Sequence, residues 1–187
     1  MAYPLPGDLL LVRTPRKTFH LGRRLMGSPY DHVSVVVRDD QTLNVVHPRV
    51  VRTPLKKMLQ PRRAPVLLRP AWPSDEARDR FVEALERLAD APYNLRRGTS
   101  LVLRLALRRA LGLRFPLAPA SLKGPRYICT DTTMLGLSAA LPSFEEALRT
   151  LPLDYRSLRS ATTDDFLRIA ELRPDLLRRE PLQTDAR

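Results

Sequence analysis

The chemistry available to this chain is concentrated in very few side chains. There is one cysteine, Cys129, and there are three histidines, His20, His32 and His47. Cys129 lies in "RYICTDTTMLGL", where a strand-like "YI" gives way to an apolar, helix-compatible run. A thiol there is either a small buried hydrophobe or a nucleophile at a helix start, where unpaired backbone N–H groups and the macrodipole favour thiolate. An adjacent imidazole would complete a thiolate–imidazolium pair able to attack an acyl carbon, and the helix-start amides could hold the oxyanion.

Two of the histidines are spaced to supply that imidazole. His32 opens the clearest strand, and His47 follows fifteen positions later at the close of the returning segment "LNVVH". A turn near Asp39–Gln41 would put both at one end of a two-stranded ribbon, with strands about 4.8 Å apart. One ring would then take the proton while the other fixes its tautomer. Two histidines with no third ligand at metal spacing make a poor zinc site, so no metal and no cofactor is expected.

The elements that must position these groups are strands early and helices later. "PGDLLLVR" reads as a turn and a short strand, and "TFHLGRRLMGS" as a glycine-interrupted helical stretch. In "DHVSVVVRDDQTLNVVHPRVVRTPL" Val33, Val35 and Val37 alternate with Ser34 and Val36, "RDDQ" supplies the turn, and Pro48 limits the second strand. "APVLLRP" is a further strand. In "PSDEARDRFVEALERLADAP" Ser74 caps a helix whose Phe81, Leu85 and Leu88 share one face. "SLVLRLALRRALGLRF" is helical, with arginines at 104, 108 and 109, and too short to span a bilayer at about 20 Å. It suits either a core helix with snorkelling arginines or one lying on an anionic surface. Ser143 and Glu146 have capping-box spacing, "TTDDFLRIAEL" is a helix stopped by Pro174, and the tail over 176–187 is expected to fray. This pattern predicts one α+β domain over 1–187, a small antiparallel sheet packed against helices, with an arginine-rich helical insertion at about 96–122.

Composition narrows the setting. The 187 residues, 43% of them hydrophobic, suffice for a real core and argue against disorder. No membrane-spanning run or secretory signal is visible, and a lone cysteine cannot form an internal disulfide, so a cytoplasmic location is expected. The net charge of +12, carried mostly by arginine, would favour anionic partners such as a membrane surface or an acidic substrate. No nucleic-acid motif accompanies it.

The order of the short motifs carries a resemblance. "PGDLLLV", then "HVSVVV", then "VVHPRVVRTPL" resembles the sheet of the NlpC/P60 cysteine hydrolases. "APYN" is similar to an element between sheet and cysteine, and "RYICTDTTML" looks like the nucleophile motif of the circularly permuted, YiiX/YaeF-like branch. There the Cys helix follows the sheet, in a papain-like fold. The resemblance runs from Pro6 to about Leu137. It implies Cys129 as nucleophile, His32 as general base and His47 at the third polar position. Ser34 stands where the pattern has a glycine, and "CTDT" replaces a commoner Ser-Glu pair.

These residues imply a thiol amidase, peptidase-type hydrolase or acyltransferase working through an acyl-enzyme on a small-molecule, peptide or lipid-like amide, ester or thioester. Tyr93, Tyr127 and Arg126 are the expected substrate-binding residues, although either tyrosine could be core. Arg49 and Arg52 join Arg126 as candidates for holding an acidic substrate. The competing expectation is a non-catalytic adaptor on the same scaffold, holding an anionic membrane or nucleic acid through its arginine-rich face.

Overall fold

A computed structural model describes residues 2–15, 17–26, 28–96, 98–100, 103, 107, 111, 128–141, 144, 146, 151 and 161–182. The helix expected over 100–115 and the insertion at 96–122 lie largely outside them, as do Arg126, Tyr127, Ser143 and residues 183–187.

The architecture is α+β, as early strand patterns followed by helical ones predict. Six strands, β1 (Leu9–Val12), β2 (His32–Arg38), β3 (Gln41–Val45), β4 (Val50–Pro54), β5 (Val66–Pro70) and β6 (Leu177–Glu180), form one sheet in the order β4-β3-β2-β1-β5-β6. Every neighbouring pair is antiparallel. The tail expected to fray is corrected here: Leu177–Glu180 pairs with β5 as an edge strand, and Leu177 is fully buried. Charged Arg178, Arg179 and Glu180 mask its single anchoring leucine in the sequence.

β1 is buried along its whole length, which its unbroken "LLLV" requires of a central strand. On one face Leu9, Leu11, Val33, Val35 and Val37 pack with Phe81, Leu85, Met134 and Leu137. On the other, Leu10, Val12, Val36 and Leu67 pack with Leu55, Met58 and Leu59. The helices are α1 (Lys17–Met26), α2 (Leu55–Met58), α3 (Asp75–Glu86), α4 (Cys129–Ala140) and α5 (Thr163–Leu172). Ser74 caps α3 by accepting the Ala77 N–H, and Thr162 with Asp165 closes a capping box on α5.

Helix α4 matters most, because it begins at Cys129. Its apolar face is buried against the first core, and Gly136 lets it approach α3 closely. A Cβ on Gly136 would come within 2.8 Å of Phe81 Cε2. Ahead of β2, Ser28 Oγ bonds Asp164 Oδ1 at 2.7 Å and Thr163 Oγ1 at 3.0 Å, and it accepts the Tyr30 N–H. Thr163 Oγ1 donates to the Tyr30 carbonyl at 2.8 Å. These bonds tie the segment entering β2 to the start of α5.

Candidate active site

Cys129 is the first residue of α4. Ile128 before it is extended (φ −119°, ψ 161°) and buried, so the chain turns sharply from strand-like backbone into helix at the thiol. Thr132 Oγ1 and Thr133 Oγ1 donate back to the carbonyls of Ile128 and Cys129 at 2.9 and 3.0 Å. Thr132 and Thr133 thus satisfy their hydroxyls within the first turn, the buried Thr130 hydroxyl has no hydrogen-bond partner among the described residues, and the thiol lies at the helix N-terminus.

The sulfur lies beside the His32 ring and the backbone N–H groups of Val33 and Thr130, all of which act on its charge. Along β2 successive N–H groups alternate between the two neighbouring strands. Val36 N–H donates to Asp8 on the β1 side, so Val33 N–H points towards β3, just past the last β2–β3 pair, Ser34 with Asn44. The amide that acts on the thiol is therefore on the β3 side of β2.

Burial pushes the Cys129 thiol up, but the His32 charge, the imidazole bond and the two amides outweigh it and hold its pKa below the ordinary value. Burial likewise depresses His32. The charge and hydrogen bond of Cys129, then the Asn44 bond and the Asp31 charge, reverse that and hold the imidazole above its ordinary value. Both shifts favour the thiolate–imidazolium form.

Asn44 occupies the orienting position. Its Oδ1 lies 2.9 Å from His32 Nε2, and its Nδ2 donates to Thr42 Oγ1 at 2.9 Å. Because the amide nitrogen is committed to Thr42, Oδ1 faces the ring and Nε2 is the donor. Nδ1 remains for the sulfur. His32 and Asn44 are both buried, and Cys129 is half-buried.

His47 is elsewhere. Continued from the Arg38–Gln41 pair beside the turn, the ladder would set His47 opposite His32. A register shift between Val36 and Arg38 moves the pairing by one residue, so Ser34 faces Asn44. Side chains alternate between faces, so the slip places Asn44 with His32 and turns His47 away. His47 is exposed, with its ring edge-on to Tyr93 at 6.2 Å. The turn signal "RDDQ" sets the hairpin but carries no sign of the bulge, which is why spacing alone points to His47.

The Cys129 charge acts on Tyr93. The Tyr93 N–H donates to the Pro48 carbonyl at 2.9 Å, and Pro92 bridges Arg49, which fixes "APYN" against the start of β4. Burial first, then the negative charges of Cys129 and Asp131, push the phenol up to about 12, so it stays protonated. Its hydroxyl lies under Gly98, where a Cβ would come within 2.7 Å of it. The other expected contacts divide. Arg49 faces Asp90 at 3.6 Å and Arg52 faces Glu86 at 3.5 Å. Arg126 and Tyr127 lie outside the described residues.

Asp31, beside His32, was not singled out by spacing. It accepts the Thr14 N–H at 2.8 Å and pairs with Arg23 at 3.2 Å. Ser34 is fully buried, and its hydroxyl has no hydrogen-bond partner among the described residues. Among those residues no group of three or more His, Cys, Asp or Glu side chains could hold a metal ion. No helix among them is long and apolar enough to cross a membrane.

No family model matches the chain, and no curated protein matches it. A matching solved structure is that of the metalloprotein yiiX from Escherichia coli O157:H7. The alignment covers 74% of this chain and 83% of that one, at 19% identity and a TM-score of 0.44. The likeness is one of fold.

Proposed function

We propose that the protein is a cysteine-nucleophile hydrolase or acyltransferase of the circularly permuted NlpC/P60 type, acting on an amide, ester or thioester through a Cys129–His32–Asn44 arrangement. The observation that carries the reading is the placement of Cys129 at the start of α4 beside the buried His32 ring, which Asn44 holds at 2.9 Å, with each member of the pair acting on the other's charge.

In the proposed reaction the Cys129 thiolate attacks the carbonyl carbon, and the carbonyl π electrons move onto oxygen. The Cys129 N–H, in the first turn and without an intrahelical acceptor, is the natural donor to that oxyanion. As the tetrahedral species collapses, the bond to the leaving group breaks and its heteroatom takes the proton from His32 Nδ1. Neutral His32 then removes a proton from water or an acceptor nucleophile, which attacks the thioester and returns the sulfur as thiolate. Asn44 keeps Nε2 as the donor throughout, so Nδ1 alone exchanges the proton. A Cys-His-Asn constellation works by this logic wherever it occurs. The order of elements, sheet before Cys helix, supports the permuted form.

The test is the rate of iodoacetamide labelling of Cys129 against pH. A reactive pair gives an apparent pKa well below the ~8.5 of a free thiol, and His32→Ala removes the depression. Slow labelling that accelerates only in denaturant sinks the proposal.

A further inference from the structure

Helix α1 joins the end of β1 to the start of β2, and Val12 and His32 are register partners at that end of the sheet. The helix is held there by its second half. Arg23 Nη1 donates to the Thr14 carbonyl at 2.9 Å and to Asp31, the residue before His32, at 3.2 Å. The Ser28 N–H donates to the Arg23 carbonyl at 3.1 Å. Of the described α1 side chains, none belongs to either hydrophobic core.

Helical spacing divides α1 into two sides. Lys17, His20, Arg23 and Arg24 fall on one, and the apolar positions 19, 21, 25 and 26 fall around Gly22 on the other. In a globular protein such an apolar side is normally buried. Here it is not. Phe19 is 44% and Leu21 62% exposed, and a Cβ added at Gly22 between them would meet no described atom within 4 Å.

The charge around this side is of one sign. From Leu9 to Tyr30 the sequence holds Arg13, Arg16, Lys17, Arg23 and Arg24 and no Asp or Glu, and Arg13 and Arg24 are exposed. Nucleic acid would supply phosphates for the cations but nothing for Phe19 and Leu21. An anionic bilayer supplies both, a negative surface for the cations and a headgroup–acyl boundary for the apolar side.

We propose that α1 is a peripheral membrane anchor. Its apolar side enters the headgroup boundary of an anionic bilayer, its cations lie among the lipid headgroups, and the His32 end of the sheet is held at the lipid surface. The anchor is independent of the chemistry at Cys129.

The test is co-sedimentation of the full chain with vesicles of phosphatidylcholine alone and with about 30% phosphatidylserine, at about 0.1 M salt. The native protein should partition onto the anionic vesicles about tenfold better, and the advantage should shrink as salt rises. Phe19→Ser with Leu21→Ser should lower that binding about tenfold. Gly22→Leu, which adds an apolar side chain in open space, should raise it about tenfold, a gain that misfolding would not give. Lys17→Gln with Arg24→Gln should lower it about tenfold. Lys56→Gln with Lys57→Gln is the control for net charge. Those exposed lysines follow β4 at the opposite end of the sheet, where the Leu55 N–H donates to the Asp40 carbonyl. Their loss should change binding by no more than about twofold.

Equal losses from the two charge pairs mean general attraction and overturn the anchor. Equal binding to the two vesicles overturns it too, as does full binding by the Phe19/Leu21 variant with no gain from Gly22→Leu. Duplex DNA that binds the native protein more tightly than the anionic vesicles do, undiminished in the Phe19/Leu21 variant, assigns the cations to nucleic acid instead. A self-associated native protein that the same variant makes monomeric assigns the helix to a second copy of the chain. Either result overturns the proposal.

Discussion

His32 and Asn44 share one face of the β2–β3 hairpin, with Nε2 and Oδ1 2.9 Å apart, because the ladder slips by one residue between Val36 and Arg38. The same slip turns His47 to the opposite face. Pairing of residue types along a hairpin is therefore decided here by a bulge, and the polar partner of the imidazole is an amide.

Asn44→Ala should slow Cys129 alkylation at neutral pH by about tenfold, the cost of losing one hydrogen bond to a charged ring. It should also lower the His32 pKa, since the Asn44 bond is among the interactions that raise it. His47→Ala should leave the alkylation profile within about twofold. Reversed results in the two variants would restore His47 to the orienting role.

Acyl transfer should have a bell-shaped pH dependence. The acid limb follows formation of the Cys129 thiolate, whose pKa is held below the ordinary thiol value. The alkaline limb follows loss of the His32 proton, whose pKa is held above the ordinary imidazole value. The plateau lies between them, and the two limbs belong to the coupled pair. Rates for a 4-nitrophenyl ester from acid to alkaline pH will show it; a single rising limb near the free-thiol pKa contradicts the ion pair.

The same pair contributes to stability in a defined window. His32, raised on folding, stabilises most below its unfolded pKa and loses that contribution as pH rises through the folded value. Cys129, lowered on folding, stabilises above the unfolded thiol pKa and loses that contribution as pH falls through its folded value. Cys129→Ser should flatten the difference in urea midpoint between these limits.

Gly136→Ala should destabilise the protein by about 1–3 kcal/mol, because the new Cβ meets an aromatic ring that is itself fully buried. Gly136→Val should be worse. Urea unfolding measures the loss, and Cys129 labelling should fall with it, since α4 carries the thiol.

Ser28→Ala removes bonds to Thr163, Asp164 and the Tyr30 N–H, and should cost about 1–3 kcal/mol. Burial, the largest influence on Asp164, raises its pKa against the Ser28 bond. Loss of that bond should raise the Asp164 pKa further, which NMR titration of its carboxyl carbon will detect.

Much of this molecule was legible from residue order alone. The alternating valines of "HVSVVV", the turn "RDDQ" and the capped helix after Ser74 each specify an element locally, since period, turn chemistry and capping act between neighbours in the chain. Cys129 at a strand-to-helix transition was legible for the same reason. What the sequence could not decide was register and proximity. The bulge that selects Asn44 over His47 has no local residue signature, and the ordering of Leu177–Glu180 depends on a vacant edge of β5 supplied from the first half of the chain. The Cys129 sulfur meets the His32 ring and the Val33 amide only once α4 is packed against this end of the sheet. Those relationships join residues far apart in sequence, and only packing the whole sheet against its helices fixes them.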